Sequence, residues 1–227
     1  MTETLVAIDD KPTRLKMSYR EFLEWSDEDT HAEWVDGEVT VFMPPKDIHQ
    51  ATLGFLYYLL RTFVGLFDLG QLRAAPYEMR ASESSSREPD ILFVAKANQS
   101  RLTEDRLEGP ADLIIEIVSN DSARRDRHDK YHEYAEAGVP EYWIIDPRAG
   151  KQRADFFRLS EQGQYELYAT EDDELVASHV LPGFALRPAW LWEADTLDPL
   201  TCSLQIEGVA AALARKIEEQ KASSIDK

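Results

Sequence analysis

EPDILFVA (residues 88–95), ADLIIEIVS (111–119) and NDSARRDRHDKYHEYAEAGVPEYWIID (120–146) decide the fold. The first is a continuous Ile, Leu, Phe and Val run with Asp90 at its mouth. The second is the most apolar strand signal in the chain, yet it embeds Glu116. The third carries polar helical spacing that Gly138 and Pro140 stop, and it ends in a further apolar run, EYWIID. Strand, helix and strand in that order predict a crossover unit with parallel pairing, right-handed by default. Continuous rather than alternating hydrophobicity over residues 112–118 predicts a strand buried on both faces, hence central in its sheet.

Working outward, residues 1–16 show no periodicity and read as a flexible lead-in, residues 17–200 as the main domain and residues 201–227 as a C-terminal helical tail. Ser18 and Glu21 spell a capping box before a short helix that runs to about Trp25. Alternation on both sides of Asp36-Gly37 predicts a β-hairpin that Pro44-Pro45 ends. Asp47 to about Phe67 reads as a helix buried on most of its sides, with Gly70 as its stop. QLRAAPYEMRAS (71–82) reads as one irregular strand that Pro76 confines to an edge or bulge. A second hairpin is expected around Glu161-Gln162-Gly163, then one or two short strands. Helical spacing at Val209, Leu213 and Ile217 suits packing on the domain or on a second subunit, so a homodimer is an expectation.

The chain has 227 residues, 43% of them hydrophobic, which is enough to bury a core without disulfides. One cysteine, Cys202, excludes an internal disulfide and fits a reducing cytoplasm, and no Cys/His cluster has zinc-site spacing. The N-terminus lacks a signal-peptide pattern. The longest apolar stretch is interrupted by Arg61 and is too short to span a bilayer comfortably, so no membrane association is expected. A formal net charge of −18 argues against non-specific nucleic-acid affinity, which needs local Lys and Arg.

The chemistry-bearing residues follow from burial. Asp90 directly after Pro89 fits a turn as well as a metal ligand. Glu116 is harder to explain, because a carboxylate inside such a strand is costly unless it is paired or metal-bound. Two converging carboxylates suit Mg²⁺ or Mn²⁺, which can polarise a phosphoryl oxygen and acidify a bound water. Asp126, Lys130 and Tyr134 lie at successive i, i+4 positions and share one helix face, so an ammonium there could stabilise charge on a phosphate. Glu33 and Glu38 on the first hairpin are candidate acidic contacts that also read as surface residues. His49 is either a neighbour of the site or a hydrogen bonder at a helix N-terminus. Arg124, Arg125 and Arg127 suit either a phosphate backbone or a solvated face with internal ion pairs.

Together, Pro89-Asp90, LIIEIVS and the run from Ser119 to Asp146 resemble the Uma-two type of restriction endonuclease, within the PD-(D/E)XK nuclease superfamily. The resemblance is densest over residues 88–147 and reaches more weakly to WVDGEV and His49. It implies an α+β, restriction-endonuclease-like mixed sheet flanked by helices, with an N-terminal hairpin and C-terminal strands. It also implies a DNA-cleaving, metal-dependent site with Asp90 and Glu116 on Mg²⁺ or Mn²⁺. One departure stands out: two residues after the glutamate, where the superfamily carries lysine, this chain has Val118. The resemblance implies that Lys130 supplies the amine from the helix, supported by Tyr134, His49 and Glu38. Two rivals stand beside this reading: a non-catalytic binding or assembly protein on the same scaffold, and a hydrolase of small phosphorylated molecules.

Overall fold

The computed structural model describes residues 13–27, 30–42, 46–120 and 122–225. Strand β1 (Thr13–Lys16) replaces the end of the expected lead-in; the rest of that segment, with Pro44-Pro45, lies outside the described residues. Helix α1 (Tyr19–Trp25) opens with the capping box in full. The Ser18 hydroxyl accepts from the Glu21 amide, and the Glu21 carboxylate accepts from the Ser18 amide. Strands β2 (Ala32–Val35) and β3 (Glu38–Val41) pair antiparallel about Asp36 and Gly37, whose φ values of 49° and 82° are the left-handed geometry of a type I′ turn.

Helix α2 (Asp47–Phe67) is less enclosed than its composition suggests. Thr52, Phe55, Leu56, Leu59, Leu60, Phe63 and Val64 form one wide buried face, while Gly54, Tyr58, Arg61 and Gly65 stay exposed. Its left-handed cap is Asp68, not Gly70. Gly70 instead begins strand β4 (Gly70–Ala74), where a Cβ would lie 2.2 Å from the Val94 carbonyl oxygen. The single irregular strand expected over 71–82 is two strands in two different sheets. After β4 the chain leaves one sheet at Ala75-Pro76 and joins the other as β5 (Glu78–Ser82) and β6 (Ser85–Arg87). It returns between Arg87 and strand β7 (Ile91–Ala95). Asp90 sits in that return. A 3₁₀ turn (Lys96–Arg101) and strand β8 (Arg106–Glu108) occupy the loop that follows.

Strand β9 (Leu113–Ile117), helix α3 (Lys130–Glu136) and strand β10 (Glu141–Asp146) make the expected crossover, with β9 and β10 parallel and Glu116 opposite Ile144. Both strands are buried throughout because each face has its own core. Leu113, Ile115, Ile117, Trp143 and Ile145 pack toward α2, while Ile114, Tyr142 and Ile144 pack with Tyr134 of α3. Period-two alternation therefore turns Glu116 to the α3 side.

Strands β11 (Arg153–Leu159) and β12 (Tyr165–Thr170) extend this sheet as a hairpin, giving the order β12-β11-β10-β9-β7-β4. The first sheet runs β1-β3-β2-β6-β5-β8. Two-residue strands β13 (Val176–Ala177) and β14 (Ala185–Leu186) follow, then a 3₁₀ turn (Pro188–Glu193), α4 (Pro199–Leu204) and α5 (Val209–Ile225). Cys202, Ile206 and Val209 pack into the core beneath α2. Among the described residues no helix is long and apolar enough to cross a membrane.

Gly70→Ala tests the close approach of β4 to β7. Its Cβ would meet backbone that cannot yield, so the urea midpoint should fall by the equivalent of more than ~1 kcal/mol.

Candidate active site

Asp90, Glu116 and Lys130 arrive from three elements at the seam between the sheets. Strand β9 aims Glu116 at α3, and the first residue of α3 is Lys130, whose Nζ donates to Glu116 Oε1 at 2.8 Å. Tyr134, one turn later, donates its hydroxyl to the same oxygen at 2.8 Å. Asp90 is tied to β9 through the backbone: the Ile117 amide donates to its Oδ2 at 2.7 Å. In the first turn of α2, His49 places Nε2 3.3 Å from Asp90 Oδ1, as a neighbour of the site. Lys130 and Tyr134 thus meet on Glu116, while Asp90, beside His49, acts on Glu116 through its charge rather than by direct contact.

Of the two hairpin glutamates, the structure brings in Glu33 and leaves out Glu38. Glu38 follows the turn and pairs with exposed Arg14. Glu33, flanked by buried Ala32 and Trp34, is itself buried; its Oε1 lies 2.9 Å from Lys130 Nζ and its Oε2 accepts from Arg87 Nη1 at 2.9 Å. Arg87, which sequence reasoning did not single out, bridges onward from Glu33 to Glu133 of α3. Its signal was faint: an arginine closing a short serine-rich strand three positions before Asp90. The flanking arginines divide. Arg124 is exposed, Arg125 stacks over the Phe42 ring at 4.5 Å, and Arg127 pairs with buried Asp155.

The helix that carries Lys130 does not begin as an α-helix. Arg125–Asp129 form a π-turn, in which the Lys130 amide bonds to the Arg125 carbonyl five residues back. Such turns recur at functional sites. This one holds Asp126, which is buried, with Oδ1 3.8 Å from Lys130 Nζ.

The electrostatics follow from one ammonium serving several carboxylates. Burial pushes the Glu116 carboxyl up to about 8, with Asp126, Asp90 and Glu33 adding to the rise and Lys130 opposing it. Asp126 rises for the same first cause. Burial also works against ionised Glu33, but Lys130, Arg87 and Arg125 outweigh it and hold that carboxyl well below the ordinary 4.5. Lys130 is itself buried, yet Glu116, Glu33 and Asp126 keep it charged.

Glu33 is therefore a keystone anion. Its replacement by glutamine takes one of the buried anions from both Lys130 and Arg87, which keep Glu116 and Glu133, and should destabilise the fold by ~2–3 kcal/mol in chemical denaturation. The pH signature has a definite sign. A carboxyl with a depressed folded pKa contributes stability that is complete above the unfolded value of 4.5 and is lost as pH falls toward the folded value. Wild-type stability should thus drop below about pH 4.5 more steeply than that of Glu33→Gln.

Comparison with known proteins bears on the fold and the family. No curated protein matches the chain. A solved structure, described as a putative nuclease belonging to DUF820 from Anabaena variabilis ATCC 29413, superposes with a TM-score of 0.63 at 17% identity, covering 77% of this chain and 97% of that one. At that identity the likeness shows a shared fold. The family model described as "Uma2: Putative restriction endonuclease" matches residues 19–189, a span that holds every strand of both large sheets except β1 and every residue of the candidate site. The chain belongs to the Uma2 family.

Proposed function

We propose that this protein is a Mg²⁺- or Mn²⁺-dependent endonuclease that hydrolyses DNA phosphodiester bonds at the Asp90–Glu116–Lys130 site. The observation that carries the reading is the convergence of two carboxylates from β9 and the β7 approach with a buried ammonium from α3. The family match and the nuclease-like relative support it.

The donor set fits a hard divalent cation. Asp90 and Glu116 offer carboxylate oxygens, and burial, with the neighbouring carboxylates adding to it, holds Glu116 above its ordinary range, where a cation would favour its ionised form. Among the described residues no three acidic or histidine side chains form a ready-made cage. Mg²⁺ keeps several waters and is commonly held by one or two carboxylates plus substrate phosphate, so Asp90 and Glu116 would be its protein ligands. When bound, the cation would polarise the phosphoryl group and lower the pKa of its water. The chain's own residues do the remainder. Lys130 presents an ammonium to the charge that develops on the phosphoryl oxygens. Tyr134 fixes the orientation of Glu116, and the Ile117 amide fixes Asp90. Asp90 is 15% exposed where Glu116 and Lys130 are each 4% exposed, so substrate approaches from the Asp90 side.

A net charge of −18 places the burden of DNA binding on local groups such as exposed Arg124, and a homodimer would suit cleavage of both strands. The same charge favours a second reading, hydrolysis of small phosphorylated molecules, which a substrate screen separates from the first.

Plasmid cleavage in Mg²⁺ or Mn²⁺ should be lost in Glu116→Ala and should fall by at least ~10²-fold in Lys130→Ala. Equal cleavage by wild type and Glu116→Ala would sink the assignment of the site. A metal-loaded wild type that cleaves only small phosphodiesters would select the second reading.

A further inference from the structure

Buried carboxylates in this fold are otherwise well seated. Glu141, fully buried, accepts from Trp143 Nε1, the Tyr168 hydroxyl, the Ser178 hydroxyl and the His179 and Val180 amides. Asp155 pairs with Arg127 and Arg153. Asp126 is the exception. It is 1% exposed, and neither carboxylate oxygen has a partner in full hydrogen-bonding geometry among the described residues; Lys130, Arg125 and the Ser122 hydroxyl lie near it but do not offset the cost of its burial. A buried acceptor left empty costs free energy that a purely structural position would not retain.

Its surroundings say what fills it. Lys130 Nζ sits 2.8 Å from Glu116, 2.9 Å from Glu33 and 3.8 Å from Asp126 Oδ1. A hydrogen bond to Asp126 needs about 2.8–3.0 Å, so the ammonium is about 1 Å short of it. Glu116 Oε1 already accepts from both Lys130 and Tyr134. A divalent cation on that carboxylate and an ammonium beside it repel strongly in a dry site. An ammonium driven off Glu116 needs another buried anion, because an unpaired one is prohibitively costly.

We propose that Asp126 is a positioning residue that gives Lys130 a second seat: tethered by Glu33, the ammonium moves from Glu116 to Asp126 when Glu116 takes a divalent cation. This rests on the two-carboxylate metal reading above. Glu33 is the pivot, since its bond to Lys130 survives the move. The π-turn is the device that places the second seat, as it holds Asp126 one turn before the lysine on the same side. Lys130 then faces the substrate phosphate with its position set by Asp126 and Glu33 rather than by the metal-holding acid.

The test is a double-mutant cycle read as Mn²⁺ affinity by titration calorimetry, using the full chain. Asp126→Asn should weaken Mn²⁺ binding about tenfold, because Lys130 then has no seat to leave for. Lys130→Met should not weaken it, and adding Asp126→Asn to Lys130→Met should change affinity less than about twofold, as no ammonium remains to be seated. Equal weakening by Asp126→Asn with and without Lys130 would make Asp126 a direct ligand and overturn the second-seat proposal. No weakening in the single variant would overturn it too. Thermal melts confirm folding of each variant, and Lys130→Gln replaces Lys130→Met if the latter does not fold. A wild type that binds no Mn²⁺ overturns the metal reading itself, and this inference with it. Binding without the coupling overturns the inference alone.

Discussion

One buried ammonium holds the centre of this molecule. Lys130 joins Glu33 from the first sheet to Glu116 from the second, and Arg87 repeats the link from Glu33 to Glu133 on α3. An ion pair removed from water contributes little net stability, because desolvation offsets much of the Coulomb attraction. Its worth lies in geometry: the charges are costly apart, so they hold two sheets and a helix in one relative position. Hydrophobic packing beneath α2 and α3 supplies the driving force, and the ion network selects which arrangement of the seam is the folded one.

Much of this was legible in the sequence. The parallel crossover followed from strand, helix and strand with the breakers Gly138 and Pro140, and the central position of β9 from its uninterrupted apolar run. Glu116 drew notice because a carboxylate in such a run needs a partner. What was not legible depended on long-range placement. Nothing local to 71–82 says that the chain changes sheets at Pro76. Nothing in a single hairpin separates Glu33, facing the seam, from Glu38, facing Arg14, although the apolar neighbours of Glu33 leaned the right way. Arg87 and the π-turn at Arg125–Asp129 were hidden for the same reason: each is defined by partners far away in the chain or by a hydrogen bond displaced by one residue.

The buried acids also show how one chain separates architecture from chemistry. Glu141 sits among five donors and ties the loop after β13 to the main sheet. Such a carboxylate is saturated, with nothing left to offer a ligand. Asp126 is under-served, and burial holds both it and Glu116 above their ordinary pKa. Unsaturation, rather than acidity or burial alone, distinguishes the groups that can still take on a partner.

The bond from the Ile117 amide to Asp90 has a consequence for reading mutants. Backbone pairing of β7 with β9 reaches Ile91 opposite Ile115, and the Asp90 side chain then takes the next free amide of β9. This aspartate is thus a covalent extension of the ladder as well as an acid. Shortening it to alanine would unzip the strand pair at the point where the chain crosses sheets, so an inert alanine variant at this position is ambiguous between lost chemistry and a frayed seam. Asparagine, which keeps the acceptor while removing the charge, is the substitution that tells these apart.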